Sequence, residues 1–206
     1  TEQFNSDVIS NGASTTASWW SPSTCGSNIT FDYVASGGCT GGAADYSGVS
    51  AFGGFGCFLR SPAIDATGLD TLIMTLDLSN SGRNQANDWV NFNMYFGPTV
   101  GGTFRDAAYV IVDGVVVTSS PNTGRVSMQN ALRNCSSVEV VYDLTGISPA
   151  DKTNLLFYVN SNHPSGNAAG YYVTVDNISL LEQAPKQCAT TLAAPQPDLI
   201  VDNITT

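Results

Sequence analysis

Gly170-Tyr-Tyr-Val-Thr-Val-Asp-Asn-Ile-Ser-Leu-Leu181 reads as a β-strand carrying one carboxylate among aliphatic neighbours. In a regular strand Asp176 shares its parity, and so its face, with Ile178 and Leu180. An ionised carboxylate on a core-facing row is costly unless a cation or several donors compensate it. The strand therefore raises two expectations: a bound metal ion, or a carboxylate held by nearby backbone amides. Directly after it comes a run poor in sheet and helix formers, Gln183 to Pro197, with Pro185, Pro195 and Pro197. One domain is expected to stop there.

Working outward, strand signals dominate. Leu72 to Leu78, Asn87 to Phe96, Ser137 to Leu144 and Asn154 to Asn160 are all β-like. Asn87 to Phe96 alternates cleanly, with Val90, Phe92, Met94 and Phe96 on one row and Trp89, Asn91, Asn93 and Tyr95 on the other. Asp113-Gly114, between two valine-rich runs, predicts a two-residue hairpin turn. Gly/Ser/Asn/Pro segments separate the strands, and the one plausible helical turn lies around Ser127 to Leu132. Many short strands with turn-rich spacers predict an all-β fold, an antiparallel β-sandwich of jelly-roll type.

The 206 residues suffice for one sizeable β domain, and 42% hydrophobic content supports a buried core. Seven Lys+Arg against 17 Asp+Glu give a net charge of -10. That excess argues against non-specific nucleic-acid binding and against adhesion to anionic membranes. No apolar run approaches the ~18 residues that span a bilayer, so membrane insertion is not expected. Low charge and abundant Ser, Thr and Asn suit an exported protein, secreted or at the cell surface.

The five cysteines, Cys25, Cys39, Cys57, Cys135 and Cys188, form no C-x-x-C pair. A zinc ribbon or thioredoxin motif is therefore not expected. Cys25 and Cys39 bracket a Ser/Gly/Thr-rich stretch, and a disulfide there would staple a loop of about 15 residues, worth ~3 kcal/mol. The alternative is two free thiols in a reducing compartment.

Six segments, in this order, resemble the galactose-binding-like jelly rolls, a group that includes carbohydrate-binding modules, MAM domains and cleaved-adhesin domains. They are Phe4-Asn-Ser with Trp19-Trp20, Cys57 to Ile64, Asp88 to Tyr95, Gly101 to Phe104, Val141 to Gly146 and Tyr172 to Ile178. The resemblance implies a structural calcium ion held by the closing-strand aspartate, a loop after the second strand and the opening strand. Here those positions are Asp176, Asp45 and Asn5, with Asn5 standing where relatives commonly carry glutamate. Residues 198–206 resemble the opening strand of a CARDB-type immunoglobulin-like module. The implied organisation is a binding domain over 1–183, a proline-containing linker over 184–197, and the start of a following module over 198–206.

Catalytic signatures are missing from the sequence. The single histidine, His163, sits in a Ser-Asn-His-Pro loop, and no nucleophile elbow, zinc helix, phosphate loop or dinucleotide fingerprint is present. A glycosidase needs only two carboxylates at the right separation, but Asp77, Asp88, Glu139 and Asp143 read more simply as solvent-facing or turn residues. The expected role is non-catalytic: glycan or polysaccharide binding within a multidomain secreted or surface protein. The polar-aromatic row Trp89, Asn91, Asn93 and Tyr95 is the candidate ligand face, since sugars offer C–H faces to rings and hydroxyls to amides. Tyr158 and Asn160 extend it if their strand is adjacent. A MAM-like protein–protein adhesion or spacer domain is the alternative, and a polysaccharide hydrolase the third reading.

Overall fold

The structure, a computed structural model, describes residues 9–12, 17–21, 30–36, 38–48, 57–80, 89–96, 103–117, 124–127, 135–162 and 171–182. In chain order the strands are β1 (Ile9–Asn11), β2 (Trp19–Ser21), β3 (Thr30–Val34), β4 (Ala43–Gly48) and β5 (Cys57–Arg60). There follow β6 (Thr71–Asn80), β7 (Trp89–Phe96), β8 (Thr103–Asp106), β9 (Tyr109–Val112) and β10 (Val115–Val116). The last are β11 (Arg125–Ser127), β12 (Ser136–Asp143), the single-turn helix α1 (Pro149–Lys152), β13 (Leu156–Asn162) and β14 (Tyr171–Glu182).

The strands form two sheets. Sheet I has the order β1-β2-β5-β13-β7-β11, with β8 also paired to β7, and sheet II the order β10-β9-β12-β6-β14-β4-β3. From β5 onward the chain passes back and forth between the sheets, as a jelly roll requires. All pairings are antiparallel except β1 with β2, which run parallel. The all-β antiparallel sandwich expected from the strand pattern is the observed fold.

Alternation explains the core. Val90, Phe92 and Met94 of β7 and Phe157 and Val159 of β13 face Leu72, Met74, Leu76 and Leu78 of β6 and Val138, Val140 and Tyr142 of β12, all of them buried. Each such side chain contributes roughly 1.5–3 kcal/mol of burial free energy, so the row assignment of β7 follows from the hydrophobic effect alone. Phe96, the last member of that row, is only partly buried at the rim, with the Arg105 guanidinium 5.7 Å from its ring centroid. Arg105 closes this end of the sandwich by donating to the carbonyls of Asp143 (2.8 Å) and Thr145 (2.9 Å).

The Asp113-Gly114 hairpin forms as expected, with both residues at positive φ and Val115 opposite Val112. The helical turn expected around Ser127 to Leu132 is not where the described helix lies. Ser127 belongs to β11, and residues 128–132 fall outside the described residues. The observed turn, α1, starts at Ser148, whose hydroxyl accepts from the Asp151 amide (3.2 Å), with Pro149 next in line. A capping serine followed by proline is a start signal that hydrophobic periodicity alone passes over.

The cysteine expectation is corrected. Cys39 is bonded to Cys135, 96 residues away, with their Cα atoms 5.5 Å apart, so it cannot close a short loop with Cys25. The reason lies in the turn at 38–42, which folds over β14 and brings Cys39 to the start of β12. Cys25 itself lies outside the described residues, as do the linker over 184–197 and the segment 198–206.

Candidate functional site

Each sheet has an outer face, and the expected site residues divide between them. On sheet II, the reading of Asp176 as part of a core-facing row is overturned by a β-bulge. Asp176 stands opposite Asp77, yet Ser179 stands opposite Thr75, so Asn177 and Ile178 together face one residue of β6. Asn177 adopts φ 52°, a left-handed conformation that asparagine tolerates better than most residues. The extra residue flips the parity. Val175 and Ile178 therefore both point inward, and Asp176 points outward with Thr174 and Asp77.

Asp176 is nonetheless fully buried, because the 38–42 turn lies over it. Its Oδ2 accepts from the Thr40 amide (3.0 Å) and hydroxyl (3.1 Å), and its Oδ1 from the Asn177 amide (2.7 Å). Asn177 in turn donates from Nδ2 to Asp77 Oδ2 at 2.6 Å. The approach is close enough to demand glycine at position 38. A Cβ there would sit 2.8 Å from Asp176 Oδ2 and 2.5 Å from the Gly42 carbonyl oxygen. These donors match the amide-held carboxylate. Oδ1 accepts one N–H and keeps a second lone pair, and calcium takes six to eight oxygens, so a calcium site here would need Asn5 and Asp45 beside Asp176. Among the described residues no three His, Cys, Asp or Glu side chains converge. Asn5 and the side chain of Asp45 lie outside the described residues.

The outer face of sheet I is different in kind. β7 pairs with β13 along one edge, with Asn93 opposite Tyr158 and Asn91 opposite Asn160. The strand carrying Tyr158 and Asn160 is thus adjacent, on the same face as Asn91, Asn93 and Tyr95. The side chain of Trp89 lies outside the described residues. Along its other edge β7 is shared, since β8 pairs with Asn93 to Phe96 and β11 with Trp89 to Asn91. The hand-over falls at Phe92, whose amide donates to the Gly124 carbonyl (2.8 Å) and whose carbonyl accepts from the Ala107 amide (3.0 Å).

Where β8 and β11 diverge, a cleft of about 320 Å³ opens, lined by Asn91, Asn93, Tyr95, Phe104, Asp106, Gly124 and Arg125. Gly124 forms its floor by necessity, because a Cβ there would meet the Phe92 carbonyl oxygen at 2.6 Å and the Ala107 nitrogen at 3.0 Å.

Rings cross the same face from strand to strand. Centroids of Phe58 and Tyr158 lie 4.9 Å apart, Tyr158 and Tyr95 4.3 Å, and Tyr95 and Phe104 5.8 Å. Tyr158 is buried, so it supports Tyr95 rather than meeting solvent, while Phe104 is 59% exposed. Burial pushes the hydroxyl pKa of Tyr158 up, against the opposing effect of the nearby Arg60 guanidinium. Tyr95 is shifted the same way, by burial first and then by the charge of Asp106. The polar groups of the cleft are ordered in pairs: Asn93 Nδ2 donates to Asp106 Oδ1, and Arg125 Nε donates to Asn91 Oδ1 (3.1 Å).

Phe104, Asp106, Gly124 and Arg125 are the lining residues that sequence reading missed. Thr103 to Asp106 does place Phe104 and Asp106 on one face by alternation, but nothing in the sequence places β8 and β11 on one edge of β7.

No protein-family model matches this chain, and no curated protein matches it. Solved structures do. A candidate sugar-binding protein from Bacteroides thetaiotaomicron superposes with a TM-score of 0.55 at 10% identity, covering 88% of this chain and 97% of that one. The likeness is one of fold. The K1 cleaved-adhesin domain of Lys-gingipain from Porphyromonas gingivalis (TM-score 0.47, 12% identity, 89% and 97% covered) is a more distant match. A CBM4 structure (0.40, 12%, 68% and 84%) is more distant still.

Proposed function

We propose that this jelly roll is a non-catalytic glycan-binding domain of a secreted or surface protein, and that the cleft on sheet I is its ligand site. The observation that carries the reading is the exposed Phe104 ring beside Tyr95, over a floor of two amides. Rings for C–H faces and amides for hydroxyls are what a saccharide requires. The sugar-binding description of the Bacteroides protein of the same fold supports it. Asp106 is the one carboxylate lining the cleft among the described residues, whereas glycoside hydrolysis by paired carboxylates needs two, roughly 5–9.5 Å apart. The Cys39–Cys135 bond supports an oxidising compartment, and no described helix is long and apolar enough to cross a membrane.

The test is calorimetric titration with a panel of soluble polysaccharides. Tyr95→Ala and Phe104→Ala should each weaken binding by about 1–3 kcal/mol, with the exposed Phe104 costing little in melting temperature. One observation favours the protein–protein alternative: the β9–β10 hairpin exposes Tyr109, Val115 and Val116 at the edge of sheet II. If the panel gives no binding and a Val115→Lys, Val116→Lys variant loses a protein partner, the adhesion reading replaces the glycan one.

A further inference from the structure

The cleft carries more information than its lining, because its two amides are turned in opposite directions. A guanidinium can only donate, so Asn91 must show its carbonyl oxygen to Arg125, which leaves its NH2 group for other partners. A carboxylate only accepts, so Asn93 must give its NH2 group to Asp106, which leaves its carbonyl oxygen. The two residues stand two apart on one face of β7, about 7 Å of strand. The cleft floor thus offers a hydrogen-bond donor beside an acceptor, next to the Tyr95 and Phe104 rings.

The charges point the same way. One cation and one anion line the cleft, each engaged by an amide dipole, and the whole chain carries a net charge of -10. A polyanionic ligand would meet repulsion from the chain and from Asp106. A neutral one meets none.

Resting on the glycan reading, we infer that the cleft selects an uncharged saccharide through a pair of neighbouring hydroxyls. One hydroxyl accepts from Asn91 Nδ2, and the other donates to Asn93 Oδ1. Arg125 and Asp106 are positioning residues that fix which amide donates and which accepts. This is sterically economical, since both charged side chains come from strands that already build the walls.

Direct titration of the full chain tests this. The probes are neutral xylo-, manno-, gluco- and galacto-oligosaccharides, an oligogalacturonate, and mono-O-methyl ethers of the tightest neutral binder. A methyl ether accepts a hydrogen bond but cannot donate one, so etherification of the hydroxyl facing Asn93 should lower wild-type affinity about tenfold. Asp106→Asn frees Asn93 to turn, and should narrow that ratio toward one while leaving the melting temperature unchanged. Arg125→Gln acts on Asn91 and not on Asn93, so it should leave that ratio at its wild-type value. Neutral binding should not weaken between low and high salt. Tighter binding of oligogalacturonate overturns the inference, as does wild-type methyl-ether discrimination in Asp106→Asn, and in either case the glycan reading stands. If the wild type binds no saccharide at all, the glycan reading falls and takes this inference with it.

Discussion

The outer faces of the two sheets carry the same kinds of residues, Asp, Asn and Thr or aromatic rings, yet they end in opposite states. On sheet II a turn closes over Asp176 and supplies both donors to its Oδ2, while the Asn177 amide serves Oδ1. On sheet I the partners of Asn91 and Asn93 come sideways, from neighbouring strands, so half of each amide still faces outward. Polar residues on a sheet become a binding surface when their partners lie in the sheet, and become structure when the partners come from above.

The largest expected effect lies on the closed side. Cys135→Ser, or reduction of the native chain, releases a loop spanning 96 residues, for which chain entropy gives about 4.7 kcal/mol. Urea unfolding with and without reductant measures it. A loss below about 1 kcal/mol would mean that the turn over β14 holds itself. Next, Asp176→Ala strands the backbone amides of Thr40 and Asn177, while the Thr40 hydroxyl keeps Asn177 Oδ1, and should cost about 3 kcal/mol. With two donors on Oδ2 and one on Oδ1, chelator should not move the wild-type midpoint. A midpoint that rises in millimolar calcium would restore the ion and erase the contrast between the faces.

On the open side, Gly124→Ala drives a methyl group against the Phe92 carbonyl. It should cost about 1–3 kcal/mol as an overpacked site and weaken glycan binding by moving β11. An unchanged affinity would show that the cleft walls adjust independently. The smallest effect is electrostatic. The hydroxyl and amide of Thr145 hold the Asp143 carboxyl below its usual range, with lesser help from Arg105 and Lys152. A lowered folded pKa stabilises the protein above the unfolded value near 3.9, and that stability is lost as pH falls through the folded value. At this exposed site the contribution is a few tenths of a kcal/mol. Thr145→Val should flatten the pH dependence of stability below pH ~4, read from melting temperatures.

The sequence makes the strands legible because alternation is enforced residue by residue. The β7 row of Val90, Phe92 and Met94, the Asp113-Gly114 hairpin and the long β14 all follow from it. What escapes is whatever depends on one extra residue or on which strands become neighbours. Parity placed Asp176 with Ile178, and the bulge at Asn177 separated them, a local event that leaves no mark on hydrophobic periodicity. Half of the cleft was visible as Asn91, Asn93 and Tyr95. The other half, Phe104, Asp106 and Arg125, depends on two short strands sharing an edge. Cys39 chose Cys135 over its near neighbour for the same reason, since folding sets distances that sequence separation does not.

The bond between Cys39 and Cys135 also decides how the domain carries mechanical load. Tension applied along the chain passes from one sulfur to the other and bypasses the 96-residue separation between them, a contour length on the order of 330 Å if drawn out. Strands β7, β8 and β11, which build the cleft, all lie inside that covalent loop. A ligand held there would sit on strands that no pull on the chain ends can draw out, whereas β1 to β3 and β12 to β14 lie outside the loop.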